Sequence, residues 1–174
     1  YYTPISSRLT ATEVEYIIRD CEAKLIITSN ALKHVVVELT NLINDIPDRY
    51  IIDGEIDGWN SLEESLISMP SSPINDEIMG QDMLYSSGTT GKPKGIKLPL
   101  KNIPIEQSED LMQVVTGLYG TNQDTVYLSP APLYHAAPLR FTMGVNYLGG
   151  TNIIMENFDA ESSLKFIEKK IRSA

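Results

Sequence analysis

The sequence predicts an α/β fold, layered α/β/α with a mostly parallel sheet. Three observations predict it. Short apolar runs, such as 24–29 (KLIITS) and 124–130 (DTVYLSP), alternate along the chain with segments of helical periodicity. The KLIITS run is continuous rather than polar at every second place, as a strand covered on both faces requires. Turn-forming residues separate the two kinds of segment, and no internal repeat or low-complexity tract interrupts them.

The elements follow in order. Residues 10–24 (TATEVEYIIRDCEAK) predict a helix: Thr10 caps it, Glu13 completes a capping box, and Val14, Ile17, Ile18 and Cys21 share one face. KLIITS is the strand after it. Residues 30–46 predict a second helix with Asn30 as cap and Pro47 beyond its end, and RYIID (49–53) a second strand. Asp53, Gly54, Asp57 and Gly58 make turns, and Trp59 anchors the short helix predicted over 60–69. The loop PSSPINDE (70–77) is a possible subdomain boundary near residues 70–80, within a single partial domain spanning 1–174.

DMLYSS (82–87) predicts a strand, and GIKLPL (95–100) a strand or an extended exit. A longer helix is expected within 103–120, its start blurred by Pro104. DTVYLSP is then a strand, 138–150 a helix ended by Gly149 and Gly150, TNIIME (151–156) a strand, and 159–170 a closing helix capped by Asp159.

Composition narrows the function. With 174 residues and 42% hydrophobic content the chain sustains a real core. Its net charge of −9 argues against nucleic acid as a partner. A single cysteine, Cys21, forms no internal disulfide, and no apolar run reaches the length of a membrane span. The opening YYTPISSRLT has neither the basic lead nor the apolar core of a signal peptide. A cytoplasmic location is the expectation. The lack of an initiator Met suggests a piece of a longer protein.

In this acidic chain the stretch LYSSGTTGKPKGIKLPL (84–100) stands out. Gly88 and Gly91 allow positive φ and bring backbone N–H groups onto a concave surface. Ser86, Ser87, Thr89 and Thr90 add hydroxyl donors, Lys92 and Lys94 add charge, and Pro93 stiffens the turn. Together they are the parts of a phosphate cradle. It is not a Walker loop, because Pro93 stands five places after Gly88 and Pro93 also follows Lys92. Nor does the spacing fit the dinucleotide fingerprint. A Gly/Ser/Thr loop of this kind also occurs as an ordinary surface turn.

The string YSSGTTGKPKG closely resembles the phosphate-loop signature of the adenylate-forming (AMP-binding) superfamily, which includes acyl-CoA synthetases. PISSRLTATEVEYIIRDCEAKLIITS (4–29) is similar to the family's upstream segment, and LSPAPLYHAAPL (128–139) to its downstream Pro-Leu-aromatic-His segment. Pro138 stands where the family often has Gly, Tyr134 where it often has Phe, and Leu98-Pro99-Leu100 where it often carries His, while Asn102 matches. The resemblance leans toward fatty-acid–CoA ligases and identifies the chain as part of the family's large N-terminal domain, with the C-terminal domain absent.

The resemblance implies ATP, Mg2+ and CoA as cofactors or substrates, and a carboxylic acid as the activated substrate, a medium- or long-chain fatty acid with an aromatic acid as the alternative. The acid attacks the α-phosphate of MgATP to give acyl-adenylate and pyrophosphate, and CoA sulfur then displaces AMP. Ser86, Ser87, Gly88, Thr89, Thr90, Gly91 and Lys94 would bind the ATP phosphates, with Lys92 as readily a solvated lysine. Tyr134 and His135 would line the acyl pocket; packing for Tyr134 and a structural role for His135 are the alternatives, and a catalytic role for His135 is open. No metal ligand is assigned. The metal, ribose and adenylating residues of the family lie beyond residue 174, so the isolated chain is expected to be inactive. A non-catalytic nucleotide- or phosphate-binding module of the same fold is the alternative function.

Overall fold

The computed structural model describes residues 1–86, 91–107 and 117–171. The chain forms two compact units, Tyr1–Glu77 with Gln81–Leu98, and Ile78–Gly80 with Pro99–Ala174.

The first unit opens with helix α1 (Ala11–Asp20), whose start is the predicted capping box. The Thr10 N–H donates to Glu13 Oε2 at 2.8 Å, while Thr10 Oγ1 accepts from the Glu13 N–H at 3.4 Å. Two donors that the first turn leaves without helical partners are thereby satisfied. Strand β1 (Leu25–Ser29) pairs in parallel with β2 (Asp48–Ile52), from Leu25 opposite Asp48 to Ser29 opposite Ile52. Helix α2 (Lys33–Leu42) makes the crossover that a parallel pair needs. Ala11, Ile18, Val36, Leu39, Ile43, Ile51 and Trp59 form the core of this unit.

Asn30 does not cap α2. Residues Asn30–Leu32 form a 3-10 turn, and α2 starts at Lys33 without a side-chain cap. The Asn30 side chain is engaged elsewhere: it packs over Gly54, where an added Cβ would lie 2.8 Å from Asn30 Cγ. Trp59 anchors α2 rather than the helix after it, its indole N–H donating to Thr40 Oγ1 at 2.7 Å. Residues Asn60–Ser61 form a short strand, β3, parallel to β2, so the sheet order is β1-β2-β3. Helix α3 (Leu62–Ile67) then starts at Ser61, which accepts from the Glu64 N–H at 3.2 Å. Glu63 accepts from the Asp53 N–H at 3.0 Å, next to Asp53's φ of 60°.

Strands β4 (Met83–Ser86) and β5 (Lys94–Lys97) close the first unit as an antiparallel pair. Every other strand pair among the described residues is parallel.

In the second unit Ile105–Gln107 form a 3-10 turn and residues 117–119 are helical. The middle of the helix expected within 103–120, residues 108–116, lies outside the described residues. Strands β6 (Val126–Ser129) and β7 (Thr151–Ile154) pair in parallel, joined through helix α4 (Ala136–Tyr147). A Schellman motif ends α4 where the glycine pair predicts it. The Gly150 N–H reaches Val145 O at 2.9 Å, the Gly149 N–H reaches Asn146 O at 3.1 Å, and Gly149 has φ 81°. Helix α5 (Ala160–Ile171) is capped by Asp159, whose Oδ1 accepts from the Ser162 N–H at 2.7 Å. Phe141 meets Tyr119 edge-on at 5.1 Å and lies near-parallel to Tyr127 at 6.1 Å. Among the described residues no helix is long and apolar enough to cross a membrane.

Candidate functional site

The glycine–hydroxyl–lysine stretch runs from the end of β4 into the start of β5, two strands paired antiparallel. Ser86 and Lys94 are the last paired residues, with Tyr85 opposite Gly95 behind them. The antiparallel register therefore brings Ser86 and Lys94 to the two sides of the loop mouth. Ser86 Oγ donates to Lys94 O at 3.5 Å, and both residues are exposed. Ser87, Gly88, Thr89 and Thr90 lie outside the described residues. On the return limb Gly91 has φ 89°, a left-handed conformation that favours glycine, and among the described residues, its chain neighbours aside, an added Cβ there would meet nothing within 4 Å. Lys92 follows Gly91 directly and Lys94 stands three places on.

Helix α1 supports the hairpin from behind. Tyr16 and Asp20 are one helical turn apart and share a face. The Tyr16 hydroxyl donates to Pro93 O at 3.1 Å, and Lys92 Nζ stands 5.0 Å from the centre of the Tyr16 ring. Lys92 is thus held against an aromatic face. The Tyr85 hydroxyl donates to Asp20 Oδ2 at 2.5 Å. Burial, and then the Asp20 carboxylate, push the Tyr85 hydroxyl well above the usual phenol range, so it stays a protonated donor.

Gly95 makes this packing possible, because a Cβ there would run into Met83 Cε and would lie 3.0 Å from Tyr85 Cζ. The chain start secures the hairpin base. Met83 N–H donates to Tyr2 O at 2.9 Å, Tyr1 Oη donates to Leu98 O at 2.7 Å, and Lys97 Nζ stands 5.0 Å from the Tyr1 ring centre.

Tyr134 and His135 belong to the second unit, on the segment between the C-terminal end of β6 and α4. In open parallel sheets that end of a strand is where ligands bind. His135 is the residue before α4, in extended conformation, and its carbonyl accepts from the Leu139 N–H at 3.2 Å. Its imidazole makes no capping bond and is exposed, tilted against the half-buried Tyr134 ring at 4.5 Å. Pro138 is tolerated in the first turn of α4, where a backbone N–H has no helical partner. Among the described residues no three His, Cys, Asp or Glu side chains converge as metal ligands would.

Sequence reasoning missed Tyr16, Asp20 and Gly95. The i, i+4 spacing of Tyr16 and Asp20 was a visible signal, but nothing in the sequence says which neighbour that helix face meets.

Residues 1–172 match the family model described as "AMP-binding enzyme". The chain is 30% identical over 177 residues to Acyl-CoA synthetase 7 of Caenorhabditis elegans, covering 94% of the chain and 32% of that protein. It is 29% identical to the long-chain-fatty-acid–CoA ligase FadD13 of Mycobacterium tuberculosis, over 90% of the chain and 30% of that protein. The chain thus spans about a third of the length of these relatives. Its fold is similar to the crystal structure of the inhibitor-bound N-terminal domain of FACL13 from Mycobacterium tuberculosis. That match has a TM-score of 0.70 and 26% identity, and covers 97% of this chain and 41% of the other. With its whole described length inside this family's pattern, the chain belongs to the AMP-binding enzyme family.

Proposed function

We propose that this chain is the phosphate-gripping part of an ATP-dependent acyl-CoA synthetase, which activates a carboxylic acid as its acyl-adenylate and passes it to CoA. The observation that carries the reading is the pair of limbs on either side of the loop. Gly91 leaves its backbone open, and Lys94 stands across the loop mouth from Ser86. In an adenylation step negative charge grows on the departing pyrophosphate. Preorganised donors aimed at that charge stabilise it without reorganising. The hydroxyls of Ser86, Ser87, Thr89 and Thr90, the backbone N–H groups of Gly88 and Gly91, and the Lys94 ammonium are the donors in this proposal. A divalent cation such as Mg2+, bound with the nucleotide, would supply charge neutralisation there.

Tyr134 and His135 are proposed to line a pocket for the acid. A medium- or long-chain fatty acid is the proposed substrate, supported by the names of relatives such as the long-chain-fatty-acid–CoA ligase FadD13. The isolated 174-residue chain is proposed to form no adenylate by itself.

The test is ATP–pyrophosphate exchange by the full-length polypeptide carrying Thr90→Ala and Lys94→Ala. Removing one such donor typically costs about 100- to 1,000-fold in rate, so exchange should collapse in the double variant. Exchange at the wild-type rate would refute the proposal.

A further inference from the structure

We propose that helix α1 is the positioning element of the phosphate-binding hairpin, with Tyr16 fixing the return limb and Asp20 fixing the outgoing strand. The inference rests on the function proposed above and assigns roles to residues outside the loop. The two limbs are tied to one rigid face. Tyr16 donates to Pro93 O at 3.1 Å and offers its ring to Lys92 Nζ at 5.0 Å, so the limb Gly91–Lys94 is held by both its backbone and a side chain. One helical turn on, Asp20 accepts the Tyr85 hydroxyl at 2.5 Å, and Ser86 follows directly in sequence.

The two lysines have different tasks in consequence. Lys92 is engaged with the Tyr16 face. Lys94 is the first residue of β5 and is exposed, and it is the lysine this proposal assigns to the ligand. The return limb at Pro93 and the outgoing strand at Tyr85 both rest on α1. The loss of a tie lets the tip spread over more conformations, so fewer molecules are competent to bind at any moment. The penalty falls on ligands with a β- and γ-phosphate and spares those without.

The test uses the full-length polypeptide, with MgATP and AMP as paired probes in titration calorimetry and thermal melting as the folding control. Tyr16→Phe removes the hydroxyl and keeps the ring. Tyr16→Leu removes both, and Asp20→Asn keeps an acceptor oxygen for Tyr85. Losing a hydrogen bond and a cation–π contact corresponds to about threefold each in Kd. MgATP affinity should therefore weaken about threefold in Tyr16→Phe and about tenfold in Tyr16→Leu. Asp20→Asn should stay within about twofold of wild type, while Asp20→Ala weakens MgATP binding about threefold.

AMP affinity should not move in any of them. Equal weakening of MgATP and AMP, or unchanged MgATP binding in Tyr16→Leu, would overturn the positioning role while wild-type binding leaves the proposed function intact. Failure of the wild type to bind MgATP would overturn both. A variant that melts early is judged at a temperature where it is folded, by the same MgATP-to-AMP ratio.

Discussion

The Tyr85 hydroxyl and the Asp20 carboxylate meet at 2.5 Å, joining the strand that leads into the loop to the last turn of α1. The contact exists because Gly95, directly across the ladder, has no side chain to push the Tyr85 ring away. Gly95→Val therefore overfills a packed position. We expect it to destabilise the first unit by about 1–3 kcal/mol and to break the Tyr85–Asp20 bond, as read by urea denaturation. A Tyr85→Ala change made on top of it should cost less than the same change in wild type, because the two share one space.

Trp59 is the chain's single tryptophan and is only 9% exposed. Its indole N–H has Thr40 Oγ1 as acceptor, and the Thr40 hydroxyl in turn donates to Val36 O at 2.7 Å. Thr40→Val leaves a buried N–H without its partner, at a cost of about 1–3 kcal/mol. Tryptophan fluorescence should be blue-shifted in the native state and report the unfolding of this unit, with a lower urea midpoint in the variant.

The capping box at α1 predicts that Thr10→Ala lowers stability by about 1 kcal/mol. Circular dichroism through a thermal melt checks this. Since α1 carries Tyr16 and Asp20, the same substitution should also raise hydrogen exchange at Pro93's neighbours Lys92 and Lys94. Unchanged exchange there would mean that the limb does not depend on α1.

Asp45 gives a pH prediction. The Arg19 guanidinium donates to both its oxygens, at 2.5 and 2.7 Å, and holds its carboxyl at about 2, below the ordinary carboxylate range. A depressed folded-state value means that the unfolded chain binds the proton more readily. The contribution is present above the unfolded value near 4 and is lost as pH falls toward 2. Asp45→Asn should therefore be less stable than wild type at pH 6, with the gap closing between about pH 4 and 2. Both groups are exposed, so added salt should shrink the gap.

Much of this fold was legible in residues with strong local chemistry. Thr10 and Glu13 start α1, Gly149 and Gly150 end α4, and Asp159 caps α5, each where its side chain or its lack of one dictates. Asn30 misled because a cap-forming side chain was drawn instead to the space over Gly54, a contact set by tertiary packing. The two residues of β3 are too few to carry any periodicity.

At the candidate site the glycines, hydroxyls and lysines on which the proposed phosphate role rests were visible in the sequence. The docking of the hairpin on Asp20 and Tyr16 depends on contacts 65 and 77 residues apart in sequence, through Tyr85 and Pro93. No local pattern encodes such distances.

The most direct measurement is an amide NMR titration of the full-length polypeptide with MgATP, followed at Gly91, Lys92 and Lys94. The account predicts large shifts at these amides, which are absent with AMP and diminished in Lys94→Ala. Acyl-adenylate formation with these three amides unmoved by MgATP would contradict it.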